Sequence, residues 1–278
     1  MERMLMLRDF KLKGFSYPLT PKGISSVIPS FPWHYGTEYL NILFRADPSV
    51  VREFLPEPLE LGPDPGLCYA AFSKWWSVSE EAKDMPSINP ERTQYREAAI
   101  WASCSFKGNP GQICLFVWVD NDFTMARGWF MGFPKKLGQV YITEYHDLNP
   151  AMPHKKEGTV FKGIASANGE RLMEGTITLE SRINPSDLPY VMTSPLYHIR
   201  HFPNITNPNE APSVLELVKL KAENKRLGKD IWKGSGTLKF YESEIEEHFL
   251  LRPKEVLDAY MFSSGYTFPG GEVLYSWV

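Results

Sequence analysis

Long apolar runs are missing from this 278-residue chain, and so is an excess of charge of either sign. Thirty Lys and Arg stand against 33 Asp and Glu, interspersed to a net charge of −3. That balance leaves no basic face for nucleic acid and no polybasic membrane anchor. The start of the chain, with Arg3, Arg8 and Asp9, never reaches an apolar stretch long enough for a signal peptide or a membrane helix, so a cytoplasmic protein is expected. Cysteine is scarce. Cys68, Cys104 and Cys114 are odd in number and lack metal spacing, which points to buried thiols in a reducing compartment and leaves one disulfide open. The six histidines show no His-x-x-x-His spacing, so no metal is expected. There is no Gly-x-Ser-x-Gly elbow for serine hydrolysis and no glycine-rich phosphate cradle.

Sustained helical periodicity is also rare, whereas proline (23) and glycine (20) are frequent. The chain is therefore expected to be β-rich α+β, with mostly antiparallel strands forming a closed or barrel-like sheet, a few short helices, and a single domain over residues 1–278. Tyr39 to Phe44 and Ile113 to Val119 read as buried strands, and Gly175 to Ile183 alternates as a half-buried one. Asp47-Pro48 predicts a capped short helix, and Pro253 to Leu257 predicts another. Residues 204–212 read as a surface loop. Trp75-Trp76 with the charges after it reads as a loop, or as a lid over a pocket.

The chemistry concentrates at Gly132-Phe133-Pro134-Lys135-Lys136-Leu137-Gly138, where two lysines sit among Phe130, Met131, Phe133 and Leu137. A neutral lysine amine attacks carbonyls to form a Schiff base, but an ordinary ammonium at a pKa of about 10.4 does not. Burial in apolar surroundings, or a second cation nearby, favours the neutral form, and a Lys-Lys pair beside a proline offers both. A solvated basic turn is the plainer alternative.

Read with its surroundings, the segment has a wider likeness. Phe54-Leu55-Pro56-Glu57-Pro58-Leu59-Glu60, Gln94-Tyr95-Arg96-Glu97-Ala98-Ala99, Val119-Asp120-Asn121-Asp122 and Phe133-Pro134-Lys135-Lys136-Leu137-Gly138 occur in an order and at separations that resemble the acetoacetate decarboxylase family. The likeness runs nearly the length of the chain. It implies that Lys135 forms the Schiff base, that Lys136 is its charged neighbour, and that Glu97 is an active-site carboxylate. It also implies a small keto acid substrate, no cofactor and a homo-oligomer. The activated lysine of acetoacetate decarboxylase is itself a standard example of this chemistry.

Three positions depart from the family pattern. Thr37 stands where an arginine is usual, Ala70 or Ala71 where a second glutamate is expected, and Gly128-Trp129-Phe130 replaces Gly-Arg-Glu. Arg127 and Trp129, two apart, would share a face if this stretch were a strand, and Arg127 could then replace the missing arginine. His198 and Arg200 form a second pair of that kind. Phe133, Met131, Trp129 and Arg127 are the candidate substrate-binding residues. Decarboxylation of a β-keto acid through an imine on Lys135 is the first functional expectation. The alternatives are an aldolase-dehydratase acting on pyruvate through the same imine, and a non-catalytic carbonyl-binding protein.

Overall fold

The computed structural model describes residues 10–278; the expectation for Arg3, Arg8 and Asp9 lies outside the described residues. Fifteen strands, β1 (Trp33–Arg45), β2 (Leu59–Leu61), β3 (Leu67–Ser79), β4 (Gln94–Phe106), β5 (Asn109–Val119), β6 (Lys135–Leu137), β7 (Gln139–Ile142), β8 (Val160–Ala167), β9 (Glu170–Arg182), β10 (Leu196–Phe202), β11 (Val214–Leu220), β12 (Glu223–Leu227), β13 (Trp232–Phe240), β14 (Glu255–Phe268) and β15 (Gly271–Ser276), join in one sheet. Its main path runs β15-β11-β10-β5-β4-β3-β1-β14-β13-β9-β8-β7, with β2, β6 and β12 attached to the side. Pairing is antiparallel except where β6 and β10 meet β5. β15 and β7 are free ends that do not pair with each other, so the expected closed or barrel-like sheet is corrected to an open one. Edges are protected by curvature rather than closure: β8 and β9 return across one face of the sheet and cover it.

Two buried faces explain why the central strands read as unbroken apolar runs. In β1, Leu40, Ile42 and Phe44 enter one core while Trp33, Tyr35 and Leu43 enter the other. In β4, Ala98, Ile100, Ala102 and Cys104 alternate with Tyr95, Ala99 and Trp101 in the same way. Opposite faces for successive side chains are the ordinary consequence of the pleat. Along β9, Ile177 and Leu179 are fully buried with Thr176 and Thr178 half-buried between them, as the alternation requires. All three cysteines are buried free thiols.

Helices are few and short. α1 (Pro48–Glu53) begins where Asp47 accepts a hydrogen bond from the Ser49 backbone N–H at 2.9 Å, as its sequence predicts. α2 (Met85–Ile88) is a single turn, and α3 (Asp122–Met131) is capped by Asn121 and stopped by Gly132 in the left-handed region at φ 92°. The helix expected over Pro253 to Leu257 is instead the start of β14, where Lys254 and Val256 are drawn into pairing with the end of β1. Cross-strand pairing outweighs a helix-compatible Lys-Glu-Val-Leu composition there. Trp75 and Trp76 lie on β3 rather than in a loop or lid, with Trp75 buried and Trp76 outward. Residues 204–212 are loop. Among the described residues no helix is long and apolar enough to cross a membrane.

The returning strands lie so close to the central ones that glycine is required at the contact. A methyl group at Gly163 of β8 would fall inside the ring of Phe72, which β3 buries completely. Gly163→Ala is therefore expected to destabilise the protein by about 1–3 kcal/mol in urea denaturation, while leaving the opposite face of the sheet intact. An unchanged midpoint would show that β8 can move away from β3.

Candidate active site

A cavity of about 550 Å³ opens on the face of the sheet that carries Tyr35, Tyr39, Ala71, Tyr95 and Glu97. Strand register places its floor. Tyr39, Ser73 and Glu97 are cross-strand partners on β1, β3 and β4, and Asn41 and Ala71 form the neighbouring pair on the same face. β6 then docks parallel to β5, with Lys135 opposite Val117 and Lys136 opposite Trp118. Val117 belongs to the cavity-side core and Trp118 to the opposite one, so the two lysines diverge.

Lys135 is buried, and its Nζ donates to Glu97 Oε2 at 2.7 Å and to Thr124 Oγ1 at 3.0 Å. Its ammonium also lies 5.1 Å from the centre of the Tyr95 ring. The methylene stem packs on α3 at Gly128, where any Cβ would overlap it. Lys136 leaves on the far face and donates to Glu246 Oε2 at 2.7 Å; Glu246 in turn accepts from Trp118 Nε1 at 3.2 Å. Lys136 thus anchors the turn, and its place as the charged neighbour of Lys135 in the cavity is corrected: β6 pairs without a bulge, and successive residues of a regular strand face opposite ways.

The second cation in the cavity is Arg127. Residues 122–131 are helical, so Arg127 and Trp129 point about 200° apart rather than sharing a face. Arg127 is buried, donating to Ser77 Oγ at 3.0 Å and to Tyr95 Oη at 3.3 Å, with its Cζ 5.0 Å from the Tyr35 ring centre and 5.3 Å from that of Trp33. No carboxylate pairs with it among the described residues. Trp129 is half exposed on the outer surface and donates to the Lys135 carbonyl at 2.7 Å, so it holds the turn from behind and does not line the cavity. Met131 and Phe133 line the wall.

Ala71, not Ala70, faces the cavity, which leaves Glu97 as the lone carboxylate beside Lys135. Counting Lys135, Arg127 and Glu97, the interior carries one positive charge in excess. Burial pushes the Tyr35 phenol up to about 12, so the phenol stays neutral and cannot supply the balancing charge. Several residues of the site escaped the sequence reading: Thr124, which lies behind the cavity wall and bonds the amine, and the lining residues Tyr95, beside the amine, and Asn41, whose buried carbonyl oxygen has no partner. Gln94-Tyr95-Arg96-Glu97 could have revealed Tyr95 through its strand spacing to Glu97, whereas Asn41 has no local signal.

His198 and Arg200 share a face of β10 as expected but stay outside the cavity. Arg200 pairs with Glu216 and donates to the Phe130 carbonyl at 3.0 Å. His198 is completely buried beneath Phe133, with ring centres 3.9 Å apart and neither ring nitrogen bonded. Among the described residues no three His, Cys, Asp or Glu side chains gather at metal-binding distance.

Residues 16–277 match the acetoacetate decarboxylase (ADC) family. The chain belongs to that family. It is an enzyme of the acetoacetate decarboxylase-like, carbon–carbon lyase kind. Acetoacetate decarboxylase of Clostridium botulinum is 23% identical over 98% of this chain and 99% of its own. Among solved structures, the enduracididine biosynthesis enzyme MppR complexed with pyruvate is 32% identical, with a TM-score of 0.88 over 96% of this chain and 98–99% of its own in the pyruvate and condensation-product complexes. An acetoacetate decarboxylase-like enzyme from Sphingomonas wittichii is 30% identical, with a TM-score of 0.87 over 95% of this chain and 99% of its own.

Burial lowers the His198 pKa from 6.5 to about 3, with the Lys135 charge adding to the effect. Above 6.5 folded and unfolded imidazoles are both neutral; below it only the unfolded chain takes up the proton, so the group subtracts stability as pH falls from 6.5 towards 3. His198→Leu is expected to flatten the acid limb of the stability profile by up to about 1.4 kcal/mol per pH unit in that window. Parallel acid limbs for variant and parent would refute a neutral buried His198.

Proposed function

We propose that the protein joins Lys135 to the ketone of a small keto acid as an imine, and makes or breaks the carbon–carbon bond beside it while Arg127 holds the substrate carboxylate. The observation that carries this reading is the pair of buried cations in one cavity: Lys135 balanced by Glu97, Arg127 balanced by nothing. A monoanionic keto acid would bring the interior to neutrality. Glu97, 2.7 Å from the amine, is placed to accept the proton that Lys135 must lose before attacking. The amine then adds to the carbonyl, and Glu97 gives that proton to the departing hydroxyl, so that water leaves, an iminium forms and Glu97 is again a carboxylate. Glu97 next takes a proton from the adjacent carbon, and the resulting enamine is the nucleophile.

Two reactions branch at the iminium, and only one of them uses the enamine formed by this deprotonation. Aldol condensation joins it to an aldehyde carbon, the aldehyde oxygen takes up a proton, and loss of water gives an unsaturated product that hydrolysis frees from Lys135. Decarboxylation instead requires the carboxylate to surrender its electron pair to the iminium. A guanidinium bound to that carboxylate stabilises the charge that must leave, and so opposes the step. The Arg127 geometry therefore favours condensation of a pyruvate-like keto acid, and the pyruvate complex of MppR supports the same assignment. Decarboxylation of a β-keto acid is the second reading, supported by the relatives named acetoacetate decarboxylase. Assembly into a homo-oligomer is also proposed, on the family likeness alone, and light scattering measures it.

Borohydride reduction in the presence of pyruvate, followed by peptide mass spectrometry, is expected to label Lys135 and leave Lys136 free. Label on Lys136 alone would sink the assignment. Glu97→Gln is expected to lower turnover by about 10²- to 10⁴-fold, and Arg127→Gln to raise the keto acid KM by about 10²-fold. Carbon dioxide release from acetoacetate, without condensation of pyruvate with any aldehyde, would move the reaction to the second reading.

A further inference from the structure

At the rim of the cavity, β12 carries Lys225 and Arg226, and both line the opening. Adjacent strand residues ordinarily face opposite ways. Here Glu223 pairs with Thr267 and Arg226 with Gly265, which leaves one more residue on β12 than on β14, and Asn224 takes up the difference at φ 52°. A bulge of this kind re-aims side chains, and this one brings two successive cations to one mouth. Neither makes an ion pair among the described residues; the next acid along the chain, Asp230, is taken by Lys155 and Arg182. Between this rim and Lys135 the wall is aromatic, with Tyr35 stacked on Tyr266 and Tyr39 on Phe262, each at 4.9 Å between ring centres. A three-carbon keto acid fills only a fraction of about 550 Å³.

We infer that the second reactant is an aromatic aldehyde bearing its own anionic group, held at the far end from its carbonyl by Lys225 and Arg226. This rests on the imine reading above, because the aldehyde must present its carbonyl to an enamine on Lys135. The charges sort the two reactants. The interior's single excess charge is satisfied by the keto acid, and the two rim cations remain for a second anion. The aromatic walls between them favour a flat spacer, which stacks without polar partners of its own. A neutral aldehyde of the same size would use the walls and leave the rim idle.

The inference is tested with matched probes. Steady-state kinetics with pyruvate compare 4-carboxybenzaldehyde with 4-methylbenzaldehyde, and calorimetry on the same protein compares 4-(hydroxymethyl)benzoate with 4-methylbenzyl alcohol, which cannot form an imine. The anionic member of each pair is expected to be preferred by about tenfold. The preference should collapse towards unity in the Lys225→Ala/Arg226→Ala double variant and shrink as salt is raised. Equal affinities in the parent protein would overturn the inference, and so would a preference that survives in the double variant. Failure to trap any imine would overturn the role of second reactant together with the imine reading, whereas a lost preference in the alcohol pair overturns the rim assignment by itself, since that pair reports on the rim without chemistry.

Discussion

The parallel docking of three-residue β6 against β5 governs the rest of the site. It sets which of two consecutive lysines faces the cavity, and it does so through register: Lys135 opposite Val117, Lys136 opposite Trp118. A slip of one residue would exchange their faces, presenting Lys136 to the cavity and turning the Lys135 amine to the far face of the sheet, away from Glu97. Contacts on both sides oppose such a slip. Lys136 is tied to Glu246, the Lys135 carbonyl accepts from Trp129, and the Phe133 N–H closes on the Gly128 carbonyl at 2.8 Å. Residues outside the cavity therefore define the position of the group inside it.

Within the cavity the balance of charge does the selecting. A lone buried ammonium would be costly, and Glu97 offsets it through a pair with both partners almost fully buried. Of the two devices expected to make the amine reactive, burial and a neighbouring cation at Lys136, the fold supplies the burial, and in place of Lys136 it sets an acceptor carboxylate at contact distance and a second cation, Arg127, beside the Tyr95 ring. In the proposed reaction, proton transfer along that hydrogen bond takes the place of simple charge repulsion as the route to a nucleophilic amine.

Much of this was legible in the residues. Period-2 alternation located β9, the Asp47-Pro48 cap located α1, and the Pro-Lys-Lys-Leu-Gly run located the lysine that the fold buries beside Glu97. What failed did so for physical reasons that local sequence does not carry. Asp122 to Met131 has weak amphipathic patterning, because an aromatic residue, Trp129, stands on its exposed face while Arg127 and Thr124 stand on its buried one, and reading it as a strand put Trp129 beside Arg127. Whether the sheet closes depends on the meeting of β15 with β7, more than a hundred residues apart in sequence, and no local signal reports on that. The aromatic wall and the unpartnered Asn41 come from pairings between distant strands. The divergence of Lys135 from Lys136, by contrast, was open to inference once the segment was taken as extended.

Gly128 sits in the middle of the longest helix, where glycine costs about 1 kcal/mol relative to alanine. The helix cannot recover that loss, because the space a methyl group would need is filled by the stem of Lys135. Reactivity and rigidity thus compete for the same few cubic ångströms. A lineage selected for heat resistance could improve caps, loops and surface charge throughout this molecule, yet the one substitution that would most directly firm the helix beside the amine is closed to it for as long as the amine is kept.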